Sequence, residues 1–223
     1  MTGPLVVTID GPAASGKSTL AERLADALGL PFLDTGLLYR AVGRRVLETG
    51  GAPSDAAEAL AAAMALTPEE VDAARLRGEE IGQAASKVAA FPAVREALLP
   101  FQRRFAHGGE GAVLAGRDTG TVVCPDAAVK LFVTATVEER ARRRSDELRR
   151  RGGRPIYADI LAELRERDRR DSERAVAPLR VAPDALVLDT TRLEPEATLE
   201  AALRHVEALT GRRASRPQAS RNP

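Results

Sequence analysis

Gly11-Pro12-Ala13-Ala14-Ser15-Gly16-Lys17-Ser18 is the stretch that decides the fold. It satisfies the pattern G-x-x-x-x-G-K-[ST], which builds a phosphate-cradling loop only where a strand precedes it and a helix follows. Both flanks fit. Leu5 to Ile9 is a short, β-branched apolar run, suited to a buried parallel strand, and it stops at Asp10-Gly11-Pro12. Leu20, Leu24 and Leu28 then recur at helical spacing from about Lys17, and Gly29 with Pro31 supplies the stop. In such a loop glycines let backbone N–H groups wrap phosphate oxygens, and the helix N-terminus adds its partial positive charge. Lys17 is expected at the solvent-open mouth, reaching the β- and γ-phosphates, and the Ser18 hydroxyl is the expected magnesium ligand. The triphosphate site is therefore read as Gly11, Pro12, Ala13, Ala14, Ser15, Gly16, Lys17, Ser18 and Thr19.

Working outward, Phe32-Leu33 reads as a very short second strand, and Thr35 to Leu47 as a helix ending at the break Thr49-Gly50-Gly51-Ala52-Pro53. Residues 54–107 change texture: they are alanine-rich, lack strand-like runs and carry helix starts at Ser54-Asp55 and Thr67-Pro68-Glu69-Glu70. They read as a small helical insert, with Leu66 to Gln83 helical. Beyond Gly108-Gly109 the strand and helix rhythm returns with Ala112–Ala115, Val129–Val133, a charged helix from about Val137, and Ala185–Leu188. Strands separated by helices imply an α/β fold, a parallel sheet with helices on both faces. Gly152-Gly153-Arg154-Pro155 interrupts the charged helix and marks a lid at about 149–156. The expected division is a core of 1–53 and 108–210, an insert of 54–107, and a disordered basic tail of 211–223.

The composition narrows the function. At 223 residues, 44% hydrophobic and 29% charged, the chain is long enough to bury a full core and too apolar to be disordered. A single cysteine, Cys124, closes no intrachain disulfide and makes a zinc or iron–sulfur site improbable. Without a signal-like leader or a run of about 20 apolar residues, a cytoplasmic protein with no membrane partner is expected. Of 33 basic residues only Lys17, Lys87 and Lys130 are lysines, so arginine is inflated everywhere and its runs alone say little. Residues 140–174 hold 13 arginines against 8 acids, yet only Tyr157 is interleaved to stack on bases, so a lid is preferred to a nucleic-acid patch. The sole asparagine, Asn222, lies in the tail, which excludes the N-K-x-D guanine reader of GTPases. No L-S-G-G-Q signature of ABC-type ATPases is present. What remains is a small phosphoryl-transfer kinase.

Five segments sharpen this. Ile9 to Ser18, Leu33-Asp34-Thr35-Gly36-Leu37-Leu38-Tyr39-Arg40, Ala85 to Arg95, Gly116-Arg117-Asp118-Thr119-Gly120-Thr121-Val122-Val123 and Asp171 to Leu179 resemble, in order, the bacterial cytidylate kinases. The resemblance implies a nucleoside monophosphate kinase fold with a parallel five-stranded sheet, a monophosphate-binding insert and an arginine-rich lid. The implied reaction is ATP + CMP (or dCMP) ⇌ ADP + CDP (or dCDP), with Mg2+ accompanying ATP and a monomer expected. It also implies that CMP is held by Thr35, Arg40, Ser86, Arg95, Arg117, Asp118, Arg167 and Asp171. Among these, Arg40 and Arg117 match the phosphate positions, Arg167 and Asp171 the ribose positions, and Ser86, Arg95 and Asp118 the pyrimidine positions. Arg174, just before Ala175-Val176-Ala177-Pro178-Leu179, is the arginine expected on the transferred phosphate, catalytic alongside Lys17. By the same resemblance, Asp189-Thr190-Thr191 borders the adenine.

Plainer readings compete at several positions. Arg167 and Asp171 could be an i, i+4 helix pair, and Asp118 could simply cap a turn. With no acid at the usual second-motif strand, Asp34 or water is expected to complete the magnesium site. The family's insert usually carries a small strand-rich section, which this chain lacks. His107 and His205 are expected at the surface, and Cys124 as a small core or loop residue. A sugar- or shikimate-type kinase would lack a base pocket, and an arginine-rich nucleic-acid module would bind oligonucleotides in a salt-dependent way without making CDP.

Overall fold

A computed structural model of the chain describes residues 3–76 and 78–213. Its centre is a sheet of five parallel strands, β1 (Leu5–Asp10), β2 (Phe32–Asp34), β3 (Gly111–Gly116), β4 (Val129–Thr134) and β5 (Leu186–Asp189), in the order β2-β3-β1-β4-β5. The apolar runs read from the sequence are these strands, and β1 and β3 are buried along their whole length, as a strand covered on both faces must be. Leu5, Val7 and Ile9 face one layer, where Leu20, Leu24 and Leu28 of α1 (Lys17–Leu28) meet Ala202 and Val206 of α8 (Pro195–Thr210). Val6 faces the opposite layer with Ala106, Val123 and Cys124. Cys124 is fully buried, and burial pushes its thiol up to about 11.

The insert grows from α2 (Thr35–Glu48). Leu38, Val42 and Val46 on one stripe of α2 form a second core with α3 (Ala56–Met64), α4 (Glu79–Val88) and α5 (Pro92–Ala106). A Cβ on Gly43 would sit 2.9 Å from the Ala84 methyl and the Ala85 nitrogen, so glycine there is what lets α4 cross α2 closely. The C-terminal half of α5 leaves this core and packs, through Leu99, Phe105 and Ala106, against the sheet.

The helix expected over Leu66 to Gln83 is corrected. Pro68–Glu70 forms one tight turn, residues 71–78 are irregular where described, and helix resumes only at Glu79. The capping signature is present, with the Thr67 N–H donating to the Glu70 carboxylate at 2.9 Å. Glu70 also binds Arg45 of α2 at 2.7 Å, so the turn is tied sideways and no apolar stripe follows to extend it. No strand is found among the described residues of the insert.

α6 (Val137–Arg150) and α7 (Tyr157–Glu173) form an antiparallel pair whose small core is Ala141, Ile160 and Leu164 packed on Ala13. Between them Gly152 and Gly153 turn the chain, and Ile156 is 64% exposed. His205, expected at the surface, is half-buried on α8 and its Nε2 has no hydrogen-bond partner among the described residues. His107 is exposed. Of the basic tail expected over 211–223, residues beyond 213 lie outside the described residues.

Candidate functional site

The strand order reverses around β1, and the loops leaving the carboxyl ends of the strands gather into one cleft of about 910 Å³. The motifs at 9–18, 33–40 and 116–123 leave β1, β2 and β3 at that edge, and those at 85–95 and 171–179 reach it from α4, α5 and the end of α7. The loop after β1 takes left-handed backbone at Ala14 and at Gly16, and Lys17 begins α1. Gly11 is obligatory for a different reason, since a Cβ there would lie 2.0 Å from the Val133 carbonyl oxygen of β4. Ala13 to Thr19 line the cleft, whereas Gly11 and Pro12 are buried beneath the loop and shape it without forming its wall.

Two arginines of α6 brace this loop. Arg140, buried, donates to the Ala13 carbonyl at 3.2 Å and forms a two-pronged ion pair with Asp168 of α7. Arg143 donates to the Thr190 hydroxyl at 3.0 Å, and that hydroxyl donates in turn to the Ser15 carbonyl at 3.1 Å. Sequence reasoning missed both braces. The signal available to it was their placement one turn apart on the first helix after β4, but the arginine excess concealed it.

Lys17 is corrected in position: it is not at an open mouth but only 8% exposed. Burial and the nearby charges of Arg117 and Arg167 lower its ammonium pKa to about 7, with Asp34 and Asp171 opposing. Ser18 donates to Asp34 Oδ2 at 2.8 Å. This hydroxyl and carboxylate suit a hard divalent cation that takes its remaining ligands from phosphate and water. Among the described residues there is no cluster of three or more His, Cys, Asp or Glu that could hold a metal ion.

All eight acceptor positions line the same cleft. At its far end Arg95 of α5 forms a buried ion pair with Asp118, stacks over the Tyr39 ring at 5.4 Å from its centroid, and donates to the Ala89 carbonyl. The Asp118 side chain makes no capping bond, so the plain reading of a turn cap fails, although its carbonyl accepts the turn's Val122 and Val123 N–H groups. Tyr39 was not singled out from the sequence; it adjoins Arg40, but nothing local shows that its ring lies under a guanidinium 56 positions away. Ser86 presents a buried hydroxyl with no hydrogen-bond partner among the described residues.

Asp171 pairs with Arg117, whose Nε donates to Oδ2 at 2.8 Å, and not with Arg167 one turn back on its own helix. Burial would raise the Asp171 pKa, but the charges of Arg117 and Arg167 hold it below the ordinary carboxylate range. Arg167 is lowered to about 10, first by burial and then by Arg117. Arg40 donates to the Leu76 and Gly78 carbonyls, tying α2 to the irregular segment of the insert. Thr35 spends its hydroxyl on the Ala115 carbonyl at 2.9 Å, so its contribution at the cleft wall is shape.

Arg174, expected on the transferred phosphate, lines the cleft toward its Asp118 end: its Nε donates to the Ala177 carbonyl and its guanidinium lies 3.6 Å from Asp118 Oδ1. The cause is the break of α7 at this residue, where the Leu179 N–H folds back to the Asp171 carbonyl at 2.7 Å. The cleft thus has a cationic donor end at the loop and an acceptor end where Arg95 with Asp118 and Arg117 with Asp171 present paired charges.

Residues 7–208 match the family model described as cytidylate kinase. A protein of Paramagnetospirillum magneticum named cytidylate kinase is 58% identical over 201 residues, covering 89% of this chain and 95% of that protein. Another so named, from Granulibacter bethesdensis, is 59% identical over 198 residues, covering 89% and 94%. Among solved structures a gluconokinase from Sinorhizobium meliloti superposes with a TM-score of 0.51 at 16% identity, covering 95% of this chain and 96% of that one, a likeness of fold alone.

Proposed function

The chain belongs to the cytidylate kinase family and is an ATP-dependent kinase that phosphorylates CMP or dCMP, and we propose that it does so through the two facing ends of this cleft. The observation that carries the assignment of ends is the pairing of Arg95 with Asp118 and of Arg117 with Asp171 across from the phosphate loop. At the donor end Ala13 to Thr19 wrap the ATP phosphates, and Lys17 places its charge on the oxygens that gain negative charge as the phosphoryl group moves. Ser18, with Asp34 behind it, would hold Mg2+, which when bound neutralises phosphate charge.

At the acceptor end Arg40 and Arg117 hold the CMP phosphate in line with the donor, and Arg167 with Asp171 meets the ribose hydroxyls. Ser86, Arg95 and Asp118 read the base. Cytosine offers an amino donor at N4 and acceptors at N3 and O2, the complement of a carboxylate beside a guanidinium. Arg174, held near Asp118, belongs to this base-reading group rather than to the transferred phosphate. The insert, 54–107, carries Ser86 and Arg95, so its movement closes the acceptor end, and the turn at 149–156 closes over the donor end. A monomer in the cytoplasm, with nucleotides rather than nucleic acid as partners, completes the reading; no helix among the described residues is long and apolar enough to cross a membrane.

A coupled assay of ADP release with CMP, dCMP, UMP and AMP as acceptors tests it. CMP or dCMP should be turned over far faster than UMP or AMP. Equal rates with all four would remove the base-reading role of Arg95 and Asp118.

A further inference from the structure

Asp10 is the last residue of β1, 4% exposed, and none of its hydrogen bonds comes from a cation. A buried carboxylate without such a partner is costly unless its lone pairs are filled by hydrogen bonds. Here they are filled from one place. Asp10 Oδ1 accepts from the Thr119 N–H at 2.8 Å and from the Thr119 hydroxyl at 2.7 Å, and Oδ2 accepts from the Gly120 N–H at 2.8 Å. Every donor belongs to the wide turn Thr119–Val123 that follows Asp118. The turn rests on the strand without slack: a Cβ on Gly120 would come within 2.7 Å of the Thr8 hydroxyl and 3.3 Å of the Lys130 side chain.

The two carboxylates have opposite surroundings. Asp118 faces cations, Arg95 and Arg174, at the acceptor end of the cleft. Asp10 takes its hydrogen bonds only from turn N–H and hydroxyl donors, one residue before the phosphate loop begins. Because the Thr119 N–H is the peptide group joining Asp118 to Thr119, holding it holds the Asp118 backbone. We infer that Asp10 is the positioning residue for base recognition: from the end of β1 it sets where the following turn places Asp118, and so shapes the preference for cytosine without touching the base. This rests on the reading that Asp118 faces the pyrimidine. It ties the aim of the acceptor end to the strand that launches the donor loop.

The test compares kcat/KM for CMP with that for UMP in the wild type, Asp10→Asn, Thr119→Val and Asp118→Asn. In Asp10→Asn an amide donor must face one of the three turn donors, so the turn shifts. The CMP-over-UMP ratio should fall about tenfold, as expected when one well-made hydrogen bond to the base is broken, mainly through KM for CMP and with a smaller change in KM for ATP. Thr119→Val keeps the shape and removes one of the three bonds, so its ratio should fall in the same direction by less. Should Asp10→Asn not fold, Thr119→Val decides alone. If Asp118→Asn lowers the ratio while Asp10→Asn or, in its place, Thr119→Val leaves it at the wild-type value, the inference is overturned and Asp10 only stabilises the fold, whatever happens to the melting temperature. If Asp118→Asn itself leaves the ratio unchanged, the base-reading assignment fails and the inference fails with it.

Discussion

Replacing Lys17 by methionine should abolish turnover and, at the same time, make the ligand-free enzyme more stable. The side chain is 8% exposed, and burial with the charges of Arg117 and Arg167 lowers its pKa from 10.5 to about 7. At about 1.36 kcal/mol per tenfold, that difference sets an upper bound on the order of 4–5 kcal/mol for what holding a charged Lys17 costs the fold. The sign follows from proton binding. Between pH 7 and 10.5 the unfolded chain keeps the Lys17 proton that the folded chain releases, so the penalty is full below about pH 7 and fades as pH rises toward 10.5. Methionine has similar length, fills the space and carries no charge. Thermal or urea unfolding of both proteins at pH 6.5 and pH 9, without nucleotide, measures the effect. A gain of about 2 kcal/mol or more is expected at pH 6.5, equivalent to several degrees in Tm for a chain of this size, and a clearly smaller gain at pH 9. Loss of turnover by orders of magnitude accompanies it, because charge on the moving phosphoryl group goes unmatched. A variant no more stable than wild type at pH 6.5, or a gain that grows with pH, would show that Lys17 is not strained in the empty site.

Gly11→Ala should leave little folded, active protein, because its Cβ would have to pass within 2.0 Å of the Val133 carbonyl; near-normal expression and activity would show that β4 yields there. Cys124, fully buried and with its thiol pushed up to about 11, should resist alkylation at pH 8 until the chain unfolds, so rapid labelling of the native enzyme by iodoacetamide would contradict the packing described. CMP together with a non-hydrolysable ATP analogue should protect the arginines at 149–151 from trypsin, since closure of the turn at 149–156 would cover a segment exposed without them; identical cleavage with and without ligands would deny that turn a role as lid.

The parts legible in the sequence are those whose cause is local. The phosphate loop, its flanking strand and helix, the five apolar runs and the helix break at 152–155 follow from spacing, glycine placement and periodicity within a few residues. The segment 66–83 shows the limit of that reasoning, since a sound helix start was overridden by the tie from Glu70 to Arg45 and the absence of an apolar stripe beyond it. The acceptor residues could be named by resemblance, but not their partners. Asp171 could pair locally with Arg167 one turn back, yet it binds Arg117, 54 positions away. Arg95 and Asp118 meet across 23 positions, and Asp10 holds Thr119 across 109. With 30 arginines in the chain, charge alone offers each carboxylate many partners of equal standing. Which of them it meets is decided by the parallel sheet, which brings the ends of β1 and β3 side by side and sets the buried loops after them within reach of particular donors.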